Sequence, residues 1–102
     1  MFQDFTTDVK FNDNAKAVFG TGNDLQIYHD GGNSYVKETG TGALVLQSAG
    51  PAIVLEKTDG ENMILANIDG DVKLYYNGSE KLATTSSGID VTCTATMYGL
   101  TI

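Results

Sequence analysis

Asp24-Leu25-Gln26-Ile27-Tyr28-His29-Asp30-Gly31 and Asp71-Val72-Lys73-Leu74-Tyr75-Tyr76-Asn77-Gly78 are two spellings of one pattern, set 47 residues apart. In each, one row of side chains (Leu25, Ile27, His29; Val72, Leu74, Tyr76) alternates with a second, the period of two of a β-strand. Each run closes on Asp-Gly or Asn-Gly, which reach positive φ at little steric cost and favour tight reversals. The correspondence extends both ways. Upstream, Ala17-Val18-Phe19 lies over Ile64-Leu65-Ala66 at the same offset. Downstream, one deletion reduces the offset to 46 and pairs Val36 with Leu82, Thr39 with Thr85, Gly42 with Gly88 and Val45 with Val91. A duplication of this kind marks a serial architecture in which each unit buries its apolar face on a neighbour.

The rest of the chain fits an all-β protein of short antiparallel hairpins. Gly is abundant at 12, Trp is absent and Glu is scarce, so turn-forming residues outnumber good helix formers. Ile89, Val91, Cys93, Ala95 and Met97 alternate with Asp90, Thr92, Thr94 and Thr96, predicting a strand out to Met97. Further strands are expected near Ser34–Lys37, Ala43–Gln47, Ala52–Lys57, Asn62–Asn67 and Lys81–Thr84. Asp30-Gly31-Gly32-Asn33, Thr58-Asp59-Gly60-Glu61, Ile68-Asp69-Gly70-Asp71 and Asn77-Gly78 are read as the tight primed turns between them. Pro51, the only proline, is read as a corner. The expected organisation is a lead-in at residues 1–8 and one β-repeat unit at 9–102, built of half-repeats at about 9–55 and 56–102. Two copies leave apolar surface without a partner inside the chain, a problem small all-β chains solve by oligomerisation.

Composition narrows the function classes. At 41% hydrophobic the chain can fold, and its longest apolar runs, Ala43–Leu46 and Ala52–Leu55, are far short of the roughly 18 residues a bilayer needs. A net charge of -7 with six Lys and no Arg disfavours nucleic acid and anionic lipid. The start Met1-Phe2-Gln3-Asp4 lacks the basic and apolar regions of a secretory signal, so the chain is expected to fold in the cytoplasm where it is made or to leave that cell by a route needing no signal peptide.

No catalytic, metal or cofactor site stands out. His29, the sole histidine, has Tyr76 as its repeat counterpart and is read as packing or surface hydrogen bonding. Cys93 is read as a small buried hydrophobe on its strand's apolar row. Gly20-Thr21-Gly22-Asn23-Asp24 is one imperfect copy of a calcium-binding nonapeptide whose ligands come from stacked repeats, and it is read as a Gly-rich turn. The acidic turns lack EF-hand spacing, Gly20-x-Gly22 precedes a strand rather than a helix, and Asn77-Gly78-Ser79 is explained as a turn. Tyr28, Tyr35 and Tyr75 are the candidate receptor-binding residues, because aromatics among polar neighbours suit carbohydrate or protein surfaces, although tyrosine pairs also stabilise sheets. Leu25, Ile27, Leu74, Val91, Cys93 and Met97 are the candidate inner face of an assembly.

Taken as strings, Val9–Gly20, Asp24–Gly31, Asn33–Val36 and Gly40–Leu44 resemble a unit of structural proteins of marine tailed bacteriophages, of the cyanophage and pelagiphage kind. Asp71–Gly78, Lys81–Thr92 and Gly99–Ile102 resemble the same unit in the same order, so the resemblance spans about residues 9–102. It implies a non-enzymatic virion protein of the tail-fibre or fibre-like kind that supports host attachment. It implies a homotrimer interlocked as a fibre-like, β-prism or β-helix assembly, a compact β-sandwich being the alternative. The expected partners are copies of itself, other virion proteins, and a host surface glycan or protein. Alternative functions are a capsid decoration or cement protein and a carbohydrate-binding module. A glycan-cleaving enzyme would need a carboxylate pair that no position singles out.

Overall fold

The computed structural model describes residues 6–101, and among them there is no helix. The chain divides into two compact units, Met1–Val45 and Leu46–Ile102. The first carries a three-stranded antiparallel sheet in the order β1 (Ala17–Phe19), β2 (Leu25–His29), β3 (Ser34–Glu38). The second carries a five-stranded antiparallel meander of β4 (Ala52–Glu56), β5 (Asn62–Asn67), β6 (Val72–Tyr76), β7 (Ser79–Thr84) and β8 (Ile89–Val91). The units part at Val45/Leu46, ahead of the half-repeat junction near residue 55, because β4 pairs with β5 and so belongs to the second sheet.

The duplication in sequence is a duplication of strand register. Ala17 faces Ile27, Val18 faces Gln26 and Phe19 faces Leu25; in the second unit Ile64 faces Leu74, Leu65 faces Lys73 and Ala66 faces Val72. The next pair of strands repeats as well, with Gln26 opposite Lys37 and Ile27 opposite Val36, against Lys73 opposite Ala83 and Leu74 opposite Leu82. The deleted residue is absorbed at the hairpin end. There Tyr28 still faces Tyr35, whereas Tyr75 faces Glu80 across a bulge that starts after Leu74 and leaves Lys81, the counterpart of Tyr35, without a partner on β6.

The turns are more varied than Asp-Gly and Asn-Gly spelling implies. Asn77 and Gly78 have φ of 50 and 80, the two positive values a primed two-residue hairpin needs. In the Asp30–Asn33 reversal Gly31 has φ 95. The other two are three-residue loops: Lys57 N donates to Glu61 O at 2.9 Å and Asn67 N to Asp71 O at 2.9 Å, with one positive φ in each, at Gly60 and Asp69. Pro51 opens the path into β4 through a cis Gly50–Pro51 peptide. At Gly78 an added methyl would sit 2.6 Å from Glu61 Oε1 on a backbone already in the left-handed region. Gly78→Ala is therefore expected to cost about 1–2 kcal/mol in chemical denaturation. Gly88→Ala, whose methyl meets nothing, should stay within about 0.5 kcal/mol of the parent.

Two expected strands are corrected. The strand predicted through Met97 ends at Val91: Thr92 N still donates to Lys81 O at 2.9 Å, but Cys93 turns to φ 84 and breaks the extended run. Cys93 is exposed, not a buried hydrophobe, and Met97 is 55% exposed beyond the sheet. Ala43–Gln47 forms no strand, and Leu44, Val45 and Leu46 are exposed. The lead-in at 1–8 lies mostly outside the described residues.

Among the described residues only Ala83, at 6% exposure, is a buried hydrophobe, and no side chain is fully buried.

Candidate functional site

Directly opposed residues of antiparallel strands share one face of the sheet. In the second unit the register links Leu55 to Ile64, Ile64 to Leu74, Leu74 to Leu82 and Leu82 to Val91, an unbroken apolar row across five strands. Ile53, Ala66, Val72 and Ile89, two residues along from members of that row, extend the same face. Leu55, Leu74 and Val91 are 46%, 42% and 39% exposed, so this face is open to solvent in a single chain. The first unit repeats the arrangement on a smaller scale, with Ala17, Ile27 and Val36 in one row and Ile27 and Val36 exposed.

Of the candidate inner-face residues, Leu74 and Val91 thus stand in one row, joined through Leu82. Ile27 holds the equivalent place in the first sheet, with Leu25 one row away between Phe19 and Glu38. Cys93 and Met97 belong to neither sheet. Leu55, Ile64, Leu82 and Val36 were missing from the sequence-based set. The offset of 46 holds the signal for Val36 and Leu82, since aligning them places both beside the already chosen Ile27 and Leu74, whereas Leu55 falls on Asp8 at the offset of 47.

The candidate receptor-binding tyrosines separate. Tyr28 and Tyr35 stack with ring centroids 4.9 Å apart and planes 22° apart, and the Lys16 ammonium lies 4.6 Å from the Tyr28 centroid. The Tyr35 hydroxyl donates to Asp30 Oδ2 at 3.2 Å, and Asp30 Oδ1 accepts from Gly32 N at 2.9 Å and Asn33 N at 2.7 Å. His29 Nδ1 and Ser34 Oγ, 2.8 Å apart, close the hairpin end. Tyr75 lies in the second unit, half-buried, and has no aromatic partner among the described residues: Glu80 stands opposite it, and Lys81, the sequence counterpart of Tyr35, is left unpaired by the bulge.

The amides of Asn33 and then Gly32 stabilise the Asp30 carboxylate and hold its pKa below the ordinary aspartate value. A depressed folded pKa gives stability that is present above the unfolded value near 3.9 and lost as pH falls through the folded one. The Asp30 carboxyl should therefore titrate by NMR below an ordinary aspartate, and Asp30→Asn should soften acid unfolding of this hairpin. An Asp30 midpoint at or above the ordinary value would show that the two amides do not hold it.

A polar hollow of ≈ 450 Å³ lies between Asp69, Gly70, Asp71, Thr84, Thr85 and Ser86. Its main charge is already engaged: Asp71 accepts from Asn67 Nδ2 at 2.6 Å, which with Lys73 holds its pKa down. Among the described residues no three His, Cys, Asp or Glu side chains converge as metal ligands would. In the Gly20–Asp24 turn the Asp24 carboxylate is packed against Gly20, Gly22 and Gly40, where an added Cβ would lie 2.6, 3.1 and 2.6 Å from its oxygens. The surface with the largest unspent chemistry is consequently apolar and extended. Comparison with protein-family models, curated proteins and solved structures finds no match to the chain.

Proposed function

We propose that this chain is a non-enzymatic structural protein of a tailed-phage virion, a fibre-like homotrimer that supports host attachment. The observation that carries the self-association is the apolar row Leu55–Ile64–Leu74–Leu82–Val91, exposed at Leu55, Leu74 and Val91 and half-buried at Ile64 and Leu82. A chain with one buried hydrophobe among its described residues has little core of its own. The virion setting rests on the resemblance of residues 9–102 to phage structural units.

In this reading the role is mechanical. Hairpins with repeated register give stiff modules, and the apolar faces of sister chains close on one another. The net charge of -7 keeps finished particles apart. Three linked copies raise the effective concentration of any weak host contact. The stacked Tyr28/Tyr35 pair is the part of the chain best suited to such a contact with a glycan or protein.

Immunogold labelling of purified particles tests the setting. Gold on tail fibres is the expected result. Gold on the shell would transfer the chain to the decoration role, and particles free of label would remove it from the virion. Tyr35→Ala should lower adsorption to host cells severalfold while leaving the assembly's mass unchanged; full adsorption would release the tyrosine pair from that task.

A further inference from the structure

The two copies of the repeat differ in their last strand. In the second unit β8 covers the outer edge of β7, with Leu82 opposite Val91, Ala83 opposite Asp90 and Thr84 opposite Ile89. At the offset of 46 the same positions in the first unit are Val36 and Val45, Lys37 and Leu44, and Glu38 and Ala43. Yet β3 ends its sheet as an edge strand, and Ala43–Val45 makes no backbone hydrogen bond among the described residues. Exposure follows the missing strand: Val36 is 56% and Val45 66% exposed, whereas Leu82 is half-buried and Val91 is at 39%.

The path between the two segments explains why they do not meet within one chain. In the second unit Thr85 N donates to Gly88 O at 2.7 Å and closes the turn that returns β8 to β7. Its counterpart Thr39 N donates to Asp24 O at 2.7 Å instead, and Thr39 Oγ1 lies 3.2 Å from the same carbonyl. Gly40 permits this route: an added Cβ would stand 2.6 Å from Asp24 Oδ1 and 3.1 Å from Asp24 Cβ, and Ser86 fills the corresponding place in the second copy. Gly42 then takes φ 97, a value Gly88 does not adopt. The chain is led away from its own β3 with a strand-forming sequence still unused.

We propose that Ala43–Val45 of one copy pairs antiparallel with β3 of a second copy, in the register Val36–Val45, Lys37–Leu44, Glu38–Ala43. The pairing covers an open edge and extends the row Ala17–Ile27–Val36 by one apolar residue, as Val91 extends Leu74–Leu82. It rests on the self-association argued above and specifies which strands carry part of it.

Disulfide trapping in the full chain, on a Cys93→Ser background, tests it. Val36→Cys and Val45→Cys sit at exposed positions, and Leu82→Cys with Val91→Cys supplies a matched pair whose link must form within one chain. When the Val36→Cys and Val45→Cys proteins are mixed and oxidised, a disulfide-linked heterodimer is expected as the main product. The double variant Val36→Cys/Val45→Cys should give linked multimers. Closure of that double variant within single chains, or no link while the Leu82/Val91 pair closes, overturns the exchange. Mass separates this failure from a failure of self-association: an oligomer without the link refutes only the strand exchange, and a monomer refutes both. Amide exchange on the parent chain reads the same contact, with residues 43–45 expected to be protected like 89–91 and to lose protection on dilution. Free exchange at 43–45 in the associated protein would also overturn it.

Discussion

Leu74→Asp is expected to abolish self-association and with it most of the stability of the second sheet. Leu74 is the middle member of the five-strand row, flanked in register by Ile64 and Leu82, and 42% exposed in the single chain. That exposure makes the substitution decisive. If nothing covers the face, a carboxylate there is solvated and costs within about 0.5 kcal/mol, as surface changes do. If sister chains close over it, each copy must desolvate a charge that has no partner among apolar neighbours, and the loss is about 3 kcal/mol or more per chain. Sedimentation should show a monomer for the variant against the oligomer proposed for the parent, with unfolding at much lower denaturant. A variant with the parent's mass and midpoint would mean that this face is not an interface.

Ala83→Asp is expected to destabilise the chain by about 3 kcal/mol. Ala83 is 6% exposed, opposed by Lys73 on β6 and Asp90 on β8, so both flanks of its strand are occupied. Lys73 offers little rescue. Its ammonium is already 3.2 Å from Glu80 and 3.7 Å from Asp71, and Glu80 above all raises its pKa. A carboxylate at position 83 would add to those acids and face Asp90 as well. Ala83→Ser, with a smaller neutral group, should cost about 1 kcal/mol. The difference between the two variants, read from equilibrium denaturation, isolates the charge from the volume. Equal costs for Asp and Ser would show that the position is wetter than its exposure indicates.

Much of the fold is legible in the sequence because its dominant signal is a comparison internal to the chain. Asp24–Gly31 over Asp71–Gly78 gives β2 and β6, and the flanking matches give β1 with the middle of β5 and β3 with β7. Even the single deletion has a visible counterpart in the bulge after Leu74. Alternation, in contrast, does not say where pairing stops. The residues after Val91 keep a period of two to Met97, but Cys93 adopts φ 84, so strand-like spelling continues past the last ladder. Ala43–Gln47 is the same case: its residues suit a strand, and what is missing is a neighbour among the described residues. Three-residue loops at Lys57–Glu61 and Asn67–Asp71 escaped because Asp-Gly serves several turn types, and only the backbone φ values distinguish them.

The candidate site divides along the same line. Leu74 and Val91 were readable as members of one sheet face because each lies on an alternating run inside a ladder, whereas Cys93 and Met97 lie beyond one. Tyr28 and Tyr35 were readable individually. Their stacking depends on a one-residue difference between hairpins that places Tyr35 opposite Tyr28 but leaves Lys81 unpaired opposite β6.

Sedimentation equilibrium of the purified full chain at micromolar concentration addresses the central claim most directly. The account predicts a folded, β-rich particle of three times 10.8 kDa whose thermal midpoint falls on dilution. A folded particle of 10.8 kDa with a concentration-independent midpoint would contradict it.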